Sequence, residues 1–186
     1  MNGNLVSTLL TQSRAQALNK AVFVGLGIVL LTVASKVQAP FWPVPMTLQT
    51  LAVLMIGATA GARLGGATVL AWLALGAVGA PVFATGAGLA YMAGPTGGYL
   101  LGFLLAAVFT GYLADKGEGR TLFSALAVLA MGEVLIFAAG TGWLALLIGP
   151  QKAVAAGLIP FIPAEVLKVA LGTAVLSAAW KQKTKR

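Results

Sequence analysis

The chain has 186 residues, of which 59% are hydrophobic and 9% charged, whereas about a quarter of the residues of an ordinary soluble domain are charged. Because so few polar residues cannot cover a soluble core of this size, we predict a single all-α integral membrane domain. Cysteine and histidine are absent, which excludes disulfides, thiol nucleophiles and the commonest metal ligands. The net charge of +8 does not indicate nucleic-acid binding, because the cations fall between apolar stretches and at the two ends of the chain.

Six apolar stretches predict six membrane helices in a compact bundle. They cover residues 17–38, 46–62, 64–80, 97–114, 121–139 and 160–180. The second and third have about 17 residues, the short limit for crossing a bilayer, and the glycines around Arg63 favour a tight hairpin over one long segment. Residues 1–16 lack a signal-peptide pattern, so we expect a cytoplasmic segment 1–16, a membrane domain 17–180 and a basic cytoplasmic tail 181–186.

The cations predict the orientation of these helices. With both termini inside, nine of the twelve cations are cytoplasmic: Arg14, Lys20, Arg63, Lys116, Arg120, Lys181, Lys183, Lys185 and Arg186. Cytoplasmic loops of membrane proteins carry an excess of Lys and Arg. We therefore expect a multi-pass protein of the bacterial cytoplasmic membrane with both ends inside.

Small residues recur at spacings that allow helices to approach closely. GxxxG pairs in or between the predicted spans include Gly57 with Gly61, Gly61 with Gly65, and Gly98 with Gly102. Packing within the bundle is the simplest interpretation of each pair. In the first helix Ala17, Ala21 and Gly25 share one face, against which a partner protein fits.

The few charged groups at membrane depth are candidate site residues, because each is costly there. Glu165 and Lys168 are three residues apart and so share a helix face. Lys168 precedes Lys181, and Glu133 follows Arg120, by 13 residues, or about 20 Å of helix. These charges are therefore expected in the outer part of the bilayer. A structural ion pair is the alternative interpretation, and Glu165 also suits the first turn of a helix.

The outer loops hold further candidates. Residues 39–45 form a stiff, proline-rich loop with Trp42, which also suits an aromatic belt. Residues 94–99 place three glycines and a proline before a helix. This segment is either exposed backbone that binds a ligand or a simple turn. Thr47 and Gln49 begin the second span with uncharged polar groups that suit a neutral ligand head or a helix cap.

Four ordered motifs resemble the BioY biotin transporters, the substrate-capturing S components of energy-coupling factor (ECF) importers. The motifs are Val44-Pro-Met-Thr-Leu-Gln-Thr50, Gly79-Ala-Pro-Val-Phe83, Gly94-Pro-Thr-Gly-Gly-Tyr99 and Pro160-Phe-Ile-Pro-Ala-Glu-Val-Leu-Lys168. The resemblance spans about residues 17–180. It implies six helices around a biotin pocket near the outer surface, closed by the loop after the first helix. Glu165 stands where the family usually has aspartate, and Ala164 where it has glycine.

The resemblance also implies roles for individual residues. Polar contacts to biotin are expected from Lys168, Glu165, Gln49, Thr47 and Tyr99. Thr85 matches the family pattern less well at its position. Apolar walls are expected from Trp42, Phe83 and Trp143. Ala17, Ala21 and Gly25 correspond to small residues that contact the coupling subunit. No cofactor is expected besides biotin as the transported ligand, and the other partners are the lipid bilayer, a transmembrane coupling subunit and two ATPase subunits on separate chains.

Two other classes of function compete with biotin capture. A stand-alone proton-coupled permease for biotin or a similar solute would use Glu165 or Glu133 as its proton carrier. An intramembrane enzyme is disfavoured, because the chain has no His, no Cys and a single Asp, Asp115, in a cytoplasmic loop. The chain lacks GxxxxGK[ST], so a P-loop ATPase must be a separate polypeptide.

Overall fold

The computed structural model describes the backbone of residues 3–184 and the side chains of residues 16–182. Within this range the chain is helical apart from one short strand pair and connecting loops. The elements are α1 (Gly3–Lys36), β1 (Gln38–Ala39), β2 (Met46–Thr47), α2 (Gln49–Ala77), α3 (Gly88–Met92), α4 (Gly97–Asp115), α5 (Leu122–Ile148), α6 (Pro150–Gly157), a 3₁₀ turn (Ile159–Phe161) and α7 (Ile162–Thr184). Five helical stretches of the described chain are long and apolar enough to cross a membrane. Four predicted cytoplasmic cations have side chains outside the described residues: Arg14, Lys183, Lys185 and Arg186.

The predicted hairpin of the second and third spans lies within α2. Gly61 has φ 80° and ψ 171°, a backbone conformation that favours glycine, and it divides α2 into two arms. A Cβ placed on Gly65 would lie 3.1 Å from the Cα of Gly57, although eight residues of straight helix span about 12 Å. The arms therefore fold back on each other. The Asp115 carboxylate at the end of α4 accepts the Ala62 N–H at 3.0 Å, which stabilises the turn.

The small residues of α2 and α4 pack within the chain, as predicted. Gly57 faces the backbone of Ala107 on α4, and Gly102 faces the backbone of Ile136 on α5. A side chain at either glycine would force these helices apart. Helix α1 differs, because Gly25 has no atom within 4 Å of a Cβ placed on it.

The two ends of the bundle carry different groups. At one end lie the Gly61 turn with Arg63, the end of α4, and Arg120, whose guanidinium lies 5.3 Å from the Trp180 ring centroid. The strand pair lies at the other end, after Lys36. This arrangement agrees with the predicted topology, in which Arg63 and Arg120 are cytoplasmic.

Several predicted boundaries were wrong by some residues. Helix α5 continues to Ile148, nine residues beyond the predicted span, and ends where Gly149 adopts φ 86°. Helix α1 extends back to Gly3, but its apolar membrane stretch runs from Gln16 to Lys36, close to the predicted 17–38. Apolar composition cannot mark these ends, because an apolar helix continues until the backbone turns.

Candidate functional site

Residues 37–48 cover the end of the bundle opposite Arg63 and are called the lid below. Its two strands pair antiparallel, with Gln38 opposite Thr47. At the end of the lid, the Leu48 N–H donates to the carbonyl of Ala34 at 3.2 Å. The proline-rich loop predicted from the sequence is therefore a short hairpin attached to α1.

A buried polar network joins α7, α2 and the lid. The Lys168 ammonium donates to Glu165 Oε1 at 2.7 Å, to the Thr47 carbonyl at 2.5 Å and to Thr50 Oγ1 at 3.2 Å. The Thr50 hydroxyl in turn donates to Glu165 Oε2 at 2.7 Å. All three ammonium hydrogens of Lys168 and both carboxylate oxygens of Glu165 are thus used. The predicted pairing of Glu165 with Lys168 on one helix face is present.

The position of this network on the chain has a simple physical cause. Glu165 lies in the first turn of α7, where the positive end of the helix dipole favours a carboxylate. Lys168 follows by three residues and reaches the same face. Only 5% of Glu165 and 8% of Lys168 is exposed, so each charge depends on the other for compensation.

A cavity lies beneath the lid beside this network. The space open to water-sized molecules is about 40 Å³, enough for a few waters and far below the roughly 300–1,000 Å³ of typical ligand sites. Its lining residues come from the lid, α2, α4, α5, α7 and the intervening loops: Val44, Pro45, Thr47, Gln49, Thr50, Phe83, Ala84, Tyr91, Thr96, Tyr99, Leu100, Phe103, Phe137, Phe161 and Glu165. A vitamin-sized ligand therefore requires its walls to move.

The Gln49 side chain carries an unused hydrogen-bond donor at this cavity. Gln49 is 4% exposed, and its Nε2 atom has no hydrogen-bond partner among the described residues. Its Oε1 atom accepts the Thr47 hydroxyl at 3.3 Å. Since buried polar groups are nearly always paired, an unpaired amide at a cavity wall indicates a place for a ligand acceptor.

Aromatic side chains form the apolar walls. Phe83 is fully buried, stacks on Tyr91 at 5.2 Å and meets Trp72 edge-on at 4.9 Å. Its backbone carbonyl accepts the Lys36 ammonium at 2.5 Å, so the end of α1 fixes this loop. The Tyr99 ring lines the cavity, but its hydroxyl donates to the Gly157 carbonyl at 2.7 Å.

The structure brings most of the predicted site residues together and leaves three outside. Glu165, Gln49, Thr47, Tyr99 and Phe83 line the cavity, and Lys168 adjoins it through Thr50. The residues outside the lining are Trp42, Thr85 and Trp143. Trp42 is 83% exposed in the lid. Trp143 donates its indole N–H to the Gly94 carbonyl at 2.9 Å.

Sequence reasoning missed Thr50, Phe137 and Phe161. Thr50 and Phe161 lie within two of the four family motifs, but a motif does not show which of its side chains face a cavity. Phe137 is an aromatic within an apolar segment, and nothing in the pattern separates it from an ordinary core residue. Among residues 16–182, no group of three His, Cys, Asp or Glu side chains is placed to hold a metal ion.

The face predicted to contact a partner lies open on α1. Ala17, Ala21 and Gly25 are all exposed. On another face of the same helix, Gly27 is buried against Thr68 of α2. The contact with a coupling subunit therefore stays a prediction that this geometry permits.

Comparisons with known proteins converge on one family. The sequence model of the BioY family matches residues 7–185. A probable biotin transporter BioY from Pyrococcus horikoshii is 38% identical over 156 residues, covering 83% of this chain and 91% of that protein. The biotin transporter BioY of Rhizobium etli is 38% identical over 174 residues, covering 86% and 90%.

A solved structure has the same fold. It is the crystal structure of the S component for biotin from an ECF-type ABC transporter. The TM-score is 0.79 over 90% of this chain and 93% of that chain, at 24% sequence identity. The all-α S-component architecture expected from the sequence is therefore confirmed.

Proposed function

The chain belongs to the BioY family, and we propose that it captures biotin in the cavity beneath the lid and mediates biotin uptake across the membrane. In this role it is the substrate-binding S component of an ECF-type importer. The observation that carries the proposal is the unpaired Gln49 amide, which faces an aromatic cavity beside the Glu165–Lys168 network. Biotin combines a polar ureido ring and a carboxylate with an apolar thiophane ring and valeryl chain, and the site offers polar and aromatic groups to match them.

Entry of biotin requires the lid to move. The Thr47 carbonyl is held by Lys168 at 2.5 Å, and Thr47 also lines the cavity. Biotin therefore competes with the lid for Lys168 when one of its acceptors approaches the ammonium. The capture step is an exchange in which the ligand replaces a lid contact.

The proposal includes partners on separate chains. The exposed face with Ala17, Ala21 and Gly25 suits a transmembrane coupling subunit, because small residues permit close helix packing. Two ATPase subunits would supply the energy, since the sequence contains no P-loop. The chain itself is proposed to perform no catalysis.

Binding and uptake experiments test the proposal separately. Isothermal titration of the protein in nanodiscs is expected to show saturable biotin binding, competed by desthiobiotin and not by thiamine or riboflavin. A flat titration would refute biotin capture. Uptake into proteoliposomes is expected to require the coupling and ATPase subunits; uptake by the chain alone that collapses with a protonophore would instead establish a proton-coupled permease.

A further inference from the structure

A second cavity opens on the side of the bundle between α5 and α7, and is called the α5–α7 groove below. Its volume is about 430 Å³, and its lining is apolar except for Glu133 and Glu165. The rim includes Val134 and Val166, which are 66% and 61% exposed. The groove therefore faces the lipid and has two acids at its base.

Glu133 is a buried acceptor that the network beneath the lid does not use. It is 8% exposed, and neither carboxylate oxygen has a hydrogen-bond partner among the described residues. Its charged neighbours are Glu165, whose side chain lies within hydrogen-bonding reach of it, and Lys168, whose three ammonium hydrogens are already donated elsewhere. An acid at membrane depth is costly, so its presence without a donor indicates a functional contact.

Phe137 separates Glu133 from the cavity beneath the lid. The two residues are four apart on α5 and so share a helix face. Phe137 and Glu165 line both the cavity and the α5–α7 groove. The Phe137 ring stands 5.8 Å from the ring centroids of both Tyr99 and Phe161. Movement of this one ring towards the groove would join the two spaces.

We propose that Glu133 is a further ligand-contacting residue, whose carboxylate accepts a ureido N–H of biotin once the Phe137 ring has moved into the α5–α7 groove. The inference rests on the proposed function. A urea needs a donor for its carbonyl and acceptors for its N–H groups. The unpaired groups of the site are one donor, Gln49 Nε2, and the two acceptors of Glu133. Glu165 is less suited, because Lys168 and Thr50 occupy its oxygens.

The test measures how one substitution changes the affinity for two ligands, biotin and 2-iminobiotin. In 2-iminobiotin an imino group replaces the ureido oxygen, so that the protonated ring is a cation. Glu133→Gln keeps the size of the side chain but cannot become an anion opposite a cationic ligand. We expect it to weaken biotin binding several-fold and 2-iminobiotin binding about tenfold further, the size of a hydrogen bond to a charged partner.

A matched control and two other outcomes make the result decisive. Glu118→Gln alters an exposed carboxylate at the Arg63 end of the bundle and is expected to change neither affinity. If Glu133→Gln shifts both ligands equally, or neither, the inference is overturned while biotin capture stands. If the unmodified protein does not bind biotin, the proposed function fails and the inference fails with it.

The movement of Phe137 has its own test. Ala170 lines the α5–α7 groove but does not line the cavity beneath the lid. Ala170→Phe therefore adds a ring to the groove alone. We expect slower biotin association and several-fold weaker binding, both restored by adding Phe137→Ala. Unchanged association in the Ala170→Phe protein would show that Phe137 does not enter the groove, and would overturn this access route.

Discussion

Replacing Lys168 by methionine removes the only cation in direct contact with Glu165 among the described residues. Methionine keeps the unbranched apolar stem and most of the length of the side chain, but the ammonium that holds Glu165, Thr50 and the Thr47 carbonyl is lost. Glu165 then carries a buried charge with one remaining donor, the Thr50 hydroxyl at 2.7 Å. The substitution therefore separates the structural role of the pair from its role in ligand binding.

The expected cost in stability follows from the geometry. Breaking a buried ion pair by removing one partner costs about 3–5 kcal/mol, and the surviving Thr50 contact favours the lower end. A loss of about 3 kcal/mol corresponds to roughly 6–12 °C in the melting temperature of a chain this size. Adding Glu165→Gln to Lys168→Met removes the stranded charge, so the double variant is expected to recover most of this loss.

The assay measures unfolding and binding on the same preparations. Melting temperatures in detergent give the stability, and titration with biotin gives the affinity. We expect the double variant to regain its melting temperature but not its affinity for biotin, because the ligand loses the Lys168 ammonium. Recovery of stability together with unchanged biotin affinity would show that the pair is structural only, and would refute its assignment to the site.

Four further substitutions test other parts of the structure, by melting temperature, biotin affinity or co-purification. Gly102→Leu crowds the α4–α5 contact and should lower stability by about 1–3 kcal/mol, whereas Gly25→Leu should leave the melting temperature unchanged and reduce co-purification with a coupling subunit. Gly61→Ala places a Cβ against the Asp115 carboxylate at φ 80° and ψ 171° and should cost about 1–3 kcal/mol; an unchanged melting temperature would contradict the turn. Gln49→Leu removes an unpaired buried donor and only one long hydrogen bond, from the Thr47 hydroxyl, so biotin affinity should fall with little loss of stability.

The sequence predicted those features that depend on local spacing. Glu165 and Lys168 share a face because they are three residues apart, whatever packs around them. The hairpin within α2 was foreseeable from the glycines around Arg63, since few other residues turn a helix so tightly. Membrane class and topology followed from composition and loop charge, which are properties of the chain rather than of its packing.

The sequence could not predict which side chains meet across the bundle. A membrane helix is apolar on all sides, so no amphipathic pattern marks its inner face. Phe137 lines the cavity, whereas Trp143, six residues later on α5, donates a hydrogen bond to the Gly94 carbonyl. In the sequence both are aromatic residues in an apolar stretch, and the pattern does not distinguish them. Thr50 likewise acquires its role only because α7 brings Glu165 to it across the bundle.

The lid and the binding network share one contact, and this links ligand capture to the closure of the site. Lys168 holds the Thr47 carbonyl, while the other end of the lid continues from α1, whose Lys36 holds the Phe83 loop. A ligand acceptor that takes the place of Thr47 at Lys168 removes the bond between the lid and α7, while the lid stays continuous with α1 and α2 and Leu48 stays bonded to Ala34. The hairpin between the two ends of the lid is thus expected to swing away from α7. Cross-linking the lid to α7 should then block biotin entry, and cross-linking it to α1 should not.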